Sequence, residues 1–213
     1  MARIRLWAVG IGEVRELFGA PEEVAAEKLV SLTPPPVTVA RAPGLLGRLG
    51  PLLRRAPEAP VVPPDQPTRA DAEALLQGHF VAPARLPAAW ALLTRWLSEM
   101  AWGELGLALD REQVRRVDFD LARAGVSAHY SVRHLWSRDA SLPLQAAPGS
   151  EVGYLRHQNA VELGQAWDEG LPELEGDSRS TVETVVDWLG QLPGWAEQAG
   201  QRPVPDLFAV AQL

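Results

Sequence analysis

Hydrophobic positions recur at a helical spacing in several parts of the chain. The clearest run lies between Leu86 and Ala101, where apolar residues fall on one face at a period of 3.6 residues and Pro87 suits the first turn. This pattern predicts a long helix with its apolar face in the core. Further helices are predicted over 13–18, from Pro21 to about Val30, after Thr68, and over 111–124, 158–168 and 181–190.

Residue types suited to helix ends support three of these helices. N-cap residue types occur at Thr68, with Asp71 three residues later, and at Asp110. Ser180 and Glu183 have the spacing of a capping box. Pro193 is expected to end the last of the three helices, since proline removes a backbone donor.

Other stretches have the pattern of strands. Residues 2–11 alternate and then become wholly apolar, which predicts a strand with one face buried early and both buried later. The β-branched and aromatic content of 126–136 predicts another strand, 142–155 one or two short ones, and 207–213 a strand that pairs back into the sheet. The elements together predict an α+β fold, with a small mixed or antiparallel sheet packed against several amphipathic helices.

The segment 34–67 has a different character, because ten of the nineteen prolines lie in it. That density predicts a Pro-rich insertion or loop within a single domain that covers 1–213. Its stretch 44–55, GLLGRLGPLLRR, is compatible with docking on an acidic partner or a membrane surface, or with leucines that plug the edge of the domain's own core. Pro51 interrupts any helix long enough to bind a bilayer, so we favour the core interpretation.

The composition limits the cellular compartments in which we expect the protein. The chain has no cysteine, which excludes disulfides and thiolate metal sites, and no apolar run approaches the ~20 residues of a membrane span. We therefore expect a soluble cytoplasmic protein. Nineteen of the twenty basic residues are arginine, which is typical of a GC-rich bacterial genome.

Charge is concentrated at one end of the sequence. Residues 150–213 contain three basic and eleven acidic side chains, a balance of −8 against −7 for the whole chain. Nucleic-acid binders need basic stripes, so DNA or RNA partners are disfavoured. An acidic surface instead favours a basic protein partner, and the residues expected to contact it are Asp168, Glu169, Glu173 and Glu175.

Signs of catalysis are weak. There is no Walker or GxGxxG motif, so no cofactor is predicted. The spacing of His129 and His134 places them on different faces of a strand or helix, and Asp118 and Asp120 diverge on a helix, so no metal site or carboxylate pair is predicted. One possible ligand pocket remains, if a strand pair brings together His129, Tyr130, His134, Trp136 and Tyr154.

Tryptophan is the main bulky side chain, with eight residues against two tyrosines and four phenylalanines. Most are expected in the core. Tryptophan is also a common interface anchor, so one or two exposed indoles are expected to mark a partner site.

Three short motifs follow one another in a recognisable order. They are Glu13 to Leu17 ahead of Pro21, the segment from Trp102 to Leu105, and Gly153-Tyr154-Leu155 before a helix. In this order the chain resembles the YfbM-like bacterial domains of unknown function. The resemblance implies an α+β fold but no activity, and no functional residue is transferred from it.

Two function classes remain open at this point. The leading hypothesis is a non-enzymatic interaction protein, similar to an immunity protein or a regulator, whose acidic last third binds a basic partner. The alternative is a small-ligand binder or enzyme with a pocket around His129, His134, Trp136 and Tyr154. An acidic face that only maintains solubility is a rival to the first hypothesis.

Overall fold

The computed structural model describes residues 3–21, 23 and 63–212. Most of the Pro-rich segment 34–67, including the leucine-rich stretch 44–55, lies outside these residues. So does nearly all of the helix predicted from Pro21 to Val30. The interpretations of those segments remain predictions.

A four-stranded antiparallel sheet forms the centre of the described residues. Its strands are β1 (Arg3–Val9), β2 (Glu104–Leu107), β3 (Ser150–Leu155) and β4 (Asp206–Gln212), in the order β2-β1-β4-β3. β4 pairs with β1 from Arg3 opposite Gln212 to Val9 opposite Asp206, and with β3 on its other side. The predicted return of the 207–213 strand into the sheet is therefore confirmed, and so is the α+β fold.

Helices cover both faces of the sheet. On one face, the core contains residues of α1 (Ile11–Glu16), α2 (Arg69–Leu76) and α3 (Leu86–Met100). The core on the opposite face is formed by α4 (Arg111–Arg123), α5 (His157–Gly170), α6 (Gly176–Leu189) and α7 (Leu192–Gln198). Among the helices described, none has the length and apolarity needed to cross a membrane.

Strand β1 shows how one segment supplies both cores. Leu6 and Ala8 belong to the core beneath α4 to α7, whereas Trp7 and Val9 belong to the core beneath α1 to α3. This alternation follows from the period of two along a strand. Arg3 is exposed at the start and all of 6–9 is buried, so the predicted change from one buried face to two is confirmed.

The predicted caps of α2 and α4 are confirmed. The Thr68 hydroxyl accepts the Asp71 N–H, and the Asp110 carboxylate accepts the N–H of Gln113 at 2.8 Å. Arg85 donates to both oxygens of the Asp71 carboxylate, at 3.0 and 2.5 Å. Burial would raise the pKa of Asp71, but the hydrogen bonds from Arg85 and Thr68 lower it below the usual value.

The strand predicted at 126–136 is wrong. These residues form two 3-10 turns, Ala128–Tyr130 and Val132–Trp136. The second turn is held by Asp118, whose carboxylate accepts the Val132 N–H at 2.6 Å. Its apolar side chains, Val132, Leu135 and Trp136, are buried in the core although the segment does not pair as a strand.

The predicted boundaries of α6 are also wrong. The helix begins at Gly176 with Glu175 as its N-cap residue, so Ser180 lies inside the helix and is not its cap. The Ser180 hydroxyl donates instead to the Gly176 carbonyl at 3.5 Å. Pro193 does not simply stop a helix, because it occupies the first turn of α7, where its missing N–H has no cost.

The tryptophans are core residues. All eight lie in the described part of the chain, six are buried, and Trp102 and Trp195 are half-buried. The expectation that most of them fill the core is confirmed. The expectation of an exposed indole at a partner site is wrong, because the large hydrophobic side chains that are exposed in the described residues are Phe80, Phe119 and Val204.

Candidate functional site

The four carboxylates expected to bind a partner lie where α5 ends and α6 begins. Asp168 and Glu169 are in the last turn of α5, and Glu173 closes the 3-10 turn Leu171–Glu173. Glu175 is the N-cap residue of α6. All four side chains are exposed, and together we call them the acidic surface.

The backbone of this segment packs against α4 and the residues that follow it. A Cβ at the buried Gly170 would lie 2.5 Å from Cγ2 of Val126, so only glycine permits this approach. Leu174 is 2% exposed, and the Ser178 hydroxyl donates to the Asp120 carboxylate at 2.6 Å. The acidic surface therefore projects from a packed connection between two helices.

Local helix electrostatics do not explain the acids at the end of α5. The C-terminus of a helix carries partial negative charge, so acidic side chains there are unfavourable by about 0.3–1 kcal/mol each. α5 has no basic residue in its last turn to offset Asp168 and Glu169. These two carboxylates are placed at a cost to helix stability, which favours a role outside the helix.

The carboxylates of the acidic surface also form no ion pairs in the described residues. Within the described residues, none of the ion pairs involves a carboxylate from 150–212. The ion pairs that do occur join arginines to acids nearer the N-terminus, for example Arg202 with Glu13 and Arg85 with Asp71. The four exposed carboxylates of the acidic surface therefore face solvent without an ion-pair partner in the described residues.

Two clefts border the acidic surface. The first has a volume of about 480 Å³ and is lined by Asp120 and Arg123 of α4 together with Glu173 and Glu175. The second, which we call the α5–α6 furrow, has a volume of about 430 Å³ and carries Asp168 at its rim. Three of the four predicted acids thus lie at concave parts of the surface.

A second group of residues comes together in the two 3-10 turns. The ring centroids of His129 and His134 are 4.5 Å apart, and the Tyr130 ring is 5.1 Å from His129 and 6.2 Å from His134. We call these three residues the His–Tyr cluster. The prediction that the two histidines lie on different faces is wrong, because these residues form 3-10 turns rather than a strand or an α-helix.

The other two pocket candidates do not join the His–Tyr cluster. Trp136 is buried in the core beneath α4 to α7, and its indole N–H donates to the Glu151 carboxylate at 2.6 Å. Tyr154 is buried in the core on the opposite face of the sheet. The structure therefore brings together three of the five candidate residues.

His134 has an unusual environment within the cluster. Its Nδ1 lies 3.3 Å from the Ser137 hydroxyl, and its buried Nε2 has no hydrogen-bond partner in the described residues. Burial lowers the pKa of His134, and the nearby His129 and Arg138 lower it further. Folding therefore favours the neutral imidazole of His134 relative to the unfolded chain.

The folded protein is expected to lose stability as pH falls below about 6.5, and His134→Asn is expected to reduce that loss. Well above this pH both states hold a neutral imidazole, but below it the unfolded chain binds a proton more readily than the folded chain, in which the pKa of His134 is lowered. Urea unfolding between pH 6.5 and about 5, where most carboxylates remain ionised, measures the effect. His79→Asn at an exposed position is the control. Equal losses in the native chain and in His134→Asn would contradict the prediction.

The remaining polar candidates have structural contacts. Asp118 and Asp120 lie on α4 as expected, and each supports a neighbouring segment through one hydrogen bond. Burial raises the pKa of Asp118, although the hydrogen bond from Val132 opposes this. His157 contacts the Pro205 carbonyl through Nδ1 at 3.0 Å. In the described ranges, no group of three or more histidine, aspartate or glutamate side chains is placed to hold a metal ion.

Sequence reasoning missed the partners that shape these sites. Asp120 and Arg123 reach the first cleft because α4 packs beside the start of α6, which no local pattern indicates. Val186 follows the helical apolar period of α6, yet it is only half-buried at the α5–α6 furrow. The sequence signal for this furrow is the apolar stripe of α6, which is wider than burial in the core requires.

The comparisons with known proteins give a family without an activity. Residues 1–210 match the model for a Domain of unknown function (DUF7691), so the chain belongs to that family. This confirms the expectation of an uncharacterised domain but does not confirm the resemblance to the YfbM-like domains. No curated protein and no solved structure matches the chain.

Proposed function

We propose that this member of the DUF7691 family is a non-enzymatic interaction protein that binds a basic protein partner through its acidic surface. An immunity protein or a regulator acts in this manner. The observation that carries the proposal is the set of four exposed carboxylates without a cationic partner in the described residues. Surface charge of one sign accelerates the encounter with a partner of opposite charge.

Two further observations support binding over a role in solubility alone. Asp168 and Glu169 lie at the end of a helix where acids reduce stability, and a solubility role would be met equally well elsewhere on the surface. Asp168, Glu173 and Glu175 border clefts, which present charge to a partner from more than one side.

Replacing all four residues of the acidic surface with arginine is expected to slow association with a basic probe about tenfold or more, with little change in the melting temperature. Exposed charges steer encounter more than they stabilise the fold. The probe is a fluorescent helical peptide of about eighteen residues, or five turns, built from lysine and alanine. Stopped-flow anisotropy gives the association rate, which is also expected to fall for the native chain as the Debye length shrinks from ~10 Å at 0.1 M salt to ~3 Å at 1 M.

A matched variant distinguishes the effect of the position of the charges from the effect of the change in net charge. It carries the same four-residue reversal at exposed acids outside 150–213, and its association rate is expected to stay close to native. An association rate that ignores both salt and the acidic-surface variant would reject the proposal. The positions in the matched variant are Glu16, Glu23, Asp65 and Glu112.

The second candidate function is small-ligand binding at the His–Tyr cluster. It is favoured by the convergence of three rings and by the unpartnered Nε2 of His134. Binding sites combine aromatic surface with a few polar atoms, which this cluster has. It becomes the leading hypothesis if the charge experiment fails.

A further inference from the structure

The α5–α6 furrow has an apolar floor. Val161 and Gly164 of α5 face Val186 and Leu189 of α6, and the two valines are only half-buried while they pack against the core beneath. A Cβ at Gly164 would lie 3.1 Å from Cβ of Leu189, so glycine allows the two helices to approach here. The valine methyl groups remain accessible along the floor.

The rim of the furrow is polar and negative. Asp168 borders it from α5 and Asp187 from α6, and neither carboxylate has an ion pair in the described residues. The amide side chains of Gln165 and Gln191 complete the rim. An apolar floor between two acidic positions complements a ligand that has an apolar face and flanking cations.

We propose that the α5–α6 furrow binds a short amphipathic helix of the basic partner, with a branched apolar side chain on the floor and lysine or arginine near Asp168 and Asp187. This inference rests on the proposed function and adds where and how the partner docks. Amphipathic helices commonly bind grooves through apolar anchors spaced three, four and seven residues apart.

The shape of the furrow favours a helix. The residues that α5 contributes, from Val161 to Asp168, are spaced as one helix face and span seven residues, a length of about 10 Å or two turns. A partner helix lying along this face therefore places two successive anchors over the floor. A second copy of this chain is a poor occupant, because its own acidic surface would repel the rim.

The test compares two peptides on the full chain. One is the lysine–alanine peptide described above, and the other has leucine in place of alanine along one helical face. The leucine peptide is expected to bind at least about tenfold more tightly, because each anchor buries apolar surface. Val161→Ser with Val186→Ser is expected to remove this difference, and Asp168→Asn with Asp187→Asn to weaken both peptides. Equilibrium anisotropy measures the affinities.

A second variant blocks the furrow from its rim, so that the test remains decisive if the serine variant does not fold. Gln165→Trp adds a bulky ring from an exposed rim position, and it is expected to reduce binding of the leucine peptide without altering the core. Thermal melts identify any variant that fails to fold.

The outcomes separate the inference from the proposed function. Equal, salt-sensitive binding of both peptides would overturn the furrow and keep the acidic surface as a binding site. Leucine-peptide binding that survives both the serine and the tryptophan variants would place the anchor elsewhere and also overturn the inference. Self-association of the native chain that these variants abolish would replace the partner helix with a second copy. No binding of either peptide would reject both proposals.

Discussion

Replacing Gly153 with alanine is expected to destabilise the fold by about 3 kcal/mol or more, at or above the upper end of the ~1–3 kcal/mol usual for overpacking. Gly153 lies on β3, directly under the turn Val132–Trp136. A Cβ there would meet the Trp136 carbonyl oxygen at 2.1 Å and the Arg138 carbonyl oxygen at 2.7 Å. Both contacts are with backbone, so no flexible side chain can move aside. Chemical unfolding with intrinsic tryptophan fluorescence measures the change.

Gly106→Ala is the matched control. Gly106 is also a strand glycine of the same sheet, paired with Arg5, but a Cβ added there meets nothing within 4 Å. Its substitution is expected to be neutral or to stabilise by up to about 1 kcal/mol, because alanine loses less backbone entropy. Similar stabilities for the two alanine variants would show that the turn does not press on β3.

Leu93→Ala and Leu97→Ala are each expected to lower the free energy of unfolding by ~2–5 kcal/mol. Both leucines are on the core side of α3 and are completely buried. Each substitution removes a branched side chain from a packed layer that includes Trp7 and Phe208, and the space it leaves is not refilled. Urea unfolding of each variant gives the value.

Arg95→Ala tests whether the effect belongs to the buried face. Arg95 lies on the exposed side of α3 and forms a pair with Glu99 one turn along. Such a pair contributes about 0.3–0.5 kcal/mol, so the control is expected to remain near native stability. Leucine variants as stable as this control would mean that the apolar stripe is not core.

Local chemistry predicted the helices well. The period of α3 and the caps at Thr68 and Asp110 depend on residues within a few positions of one another, and the sequence displays them directly. The start of α6 was missed because Glu175 caps it without a side-chain hydrogen bond, while Ser180 offers a misleading capping signal one turn later.

Long-range packing explains the other misses. The turn Val132–Trp136 depends on Asp118 from α4 and on the missing side chain of Gly153, neither of which is local in sequence. Its composition favours a strand, and tertiary contacts override that preference. The closeness of His129 and His134 follows from the same turns and was hidden for the same reason.

The candidate site was partly visible in the sequence. The concentration of acids after residue 150 indicated an acidic region, and the exposure of the four chosen residues agrees with it. Their position beside two clefts depends on how α5 packs against α6 and α6 against α4. The number of charged residues along the sequence does not indicate where the surface is concave, so the furrow could be found only in the folded structure.

The central position of β4 has a consequence for synthesis on the ribosome. The Asp206 carboxylate accepts the N–H of Ile11, which lies 195 residues earlier in the chain, and the whole length of β1 pairs with β4. At ~5–20 residues per second, β1 waits about 10–40 s after its own translation before its main partner exists. During that interval the edge of β1 that β4 will cover has no partner and is open to neighbouring chains, with Arg3 and Arg5 as charged side chains that oppose edge pairing. Translation speed, rather than helix formation, therefore sets when this sheet is able to close.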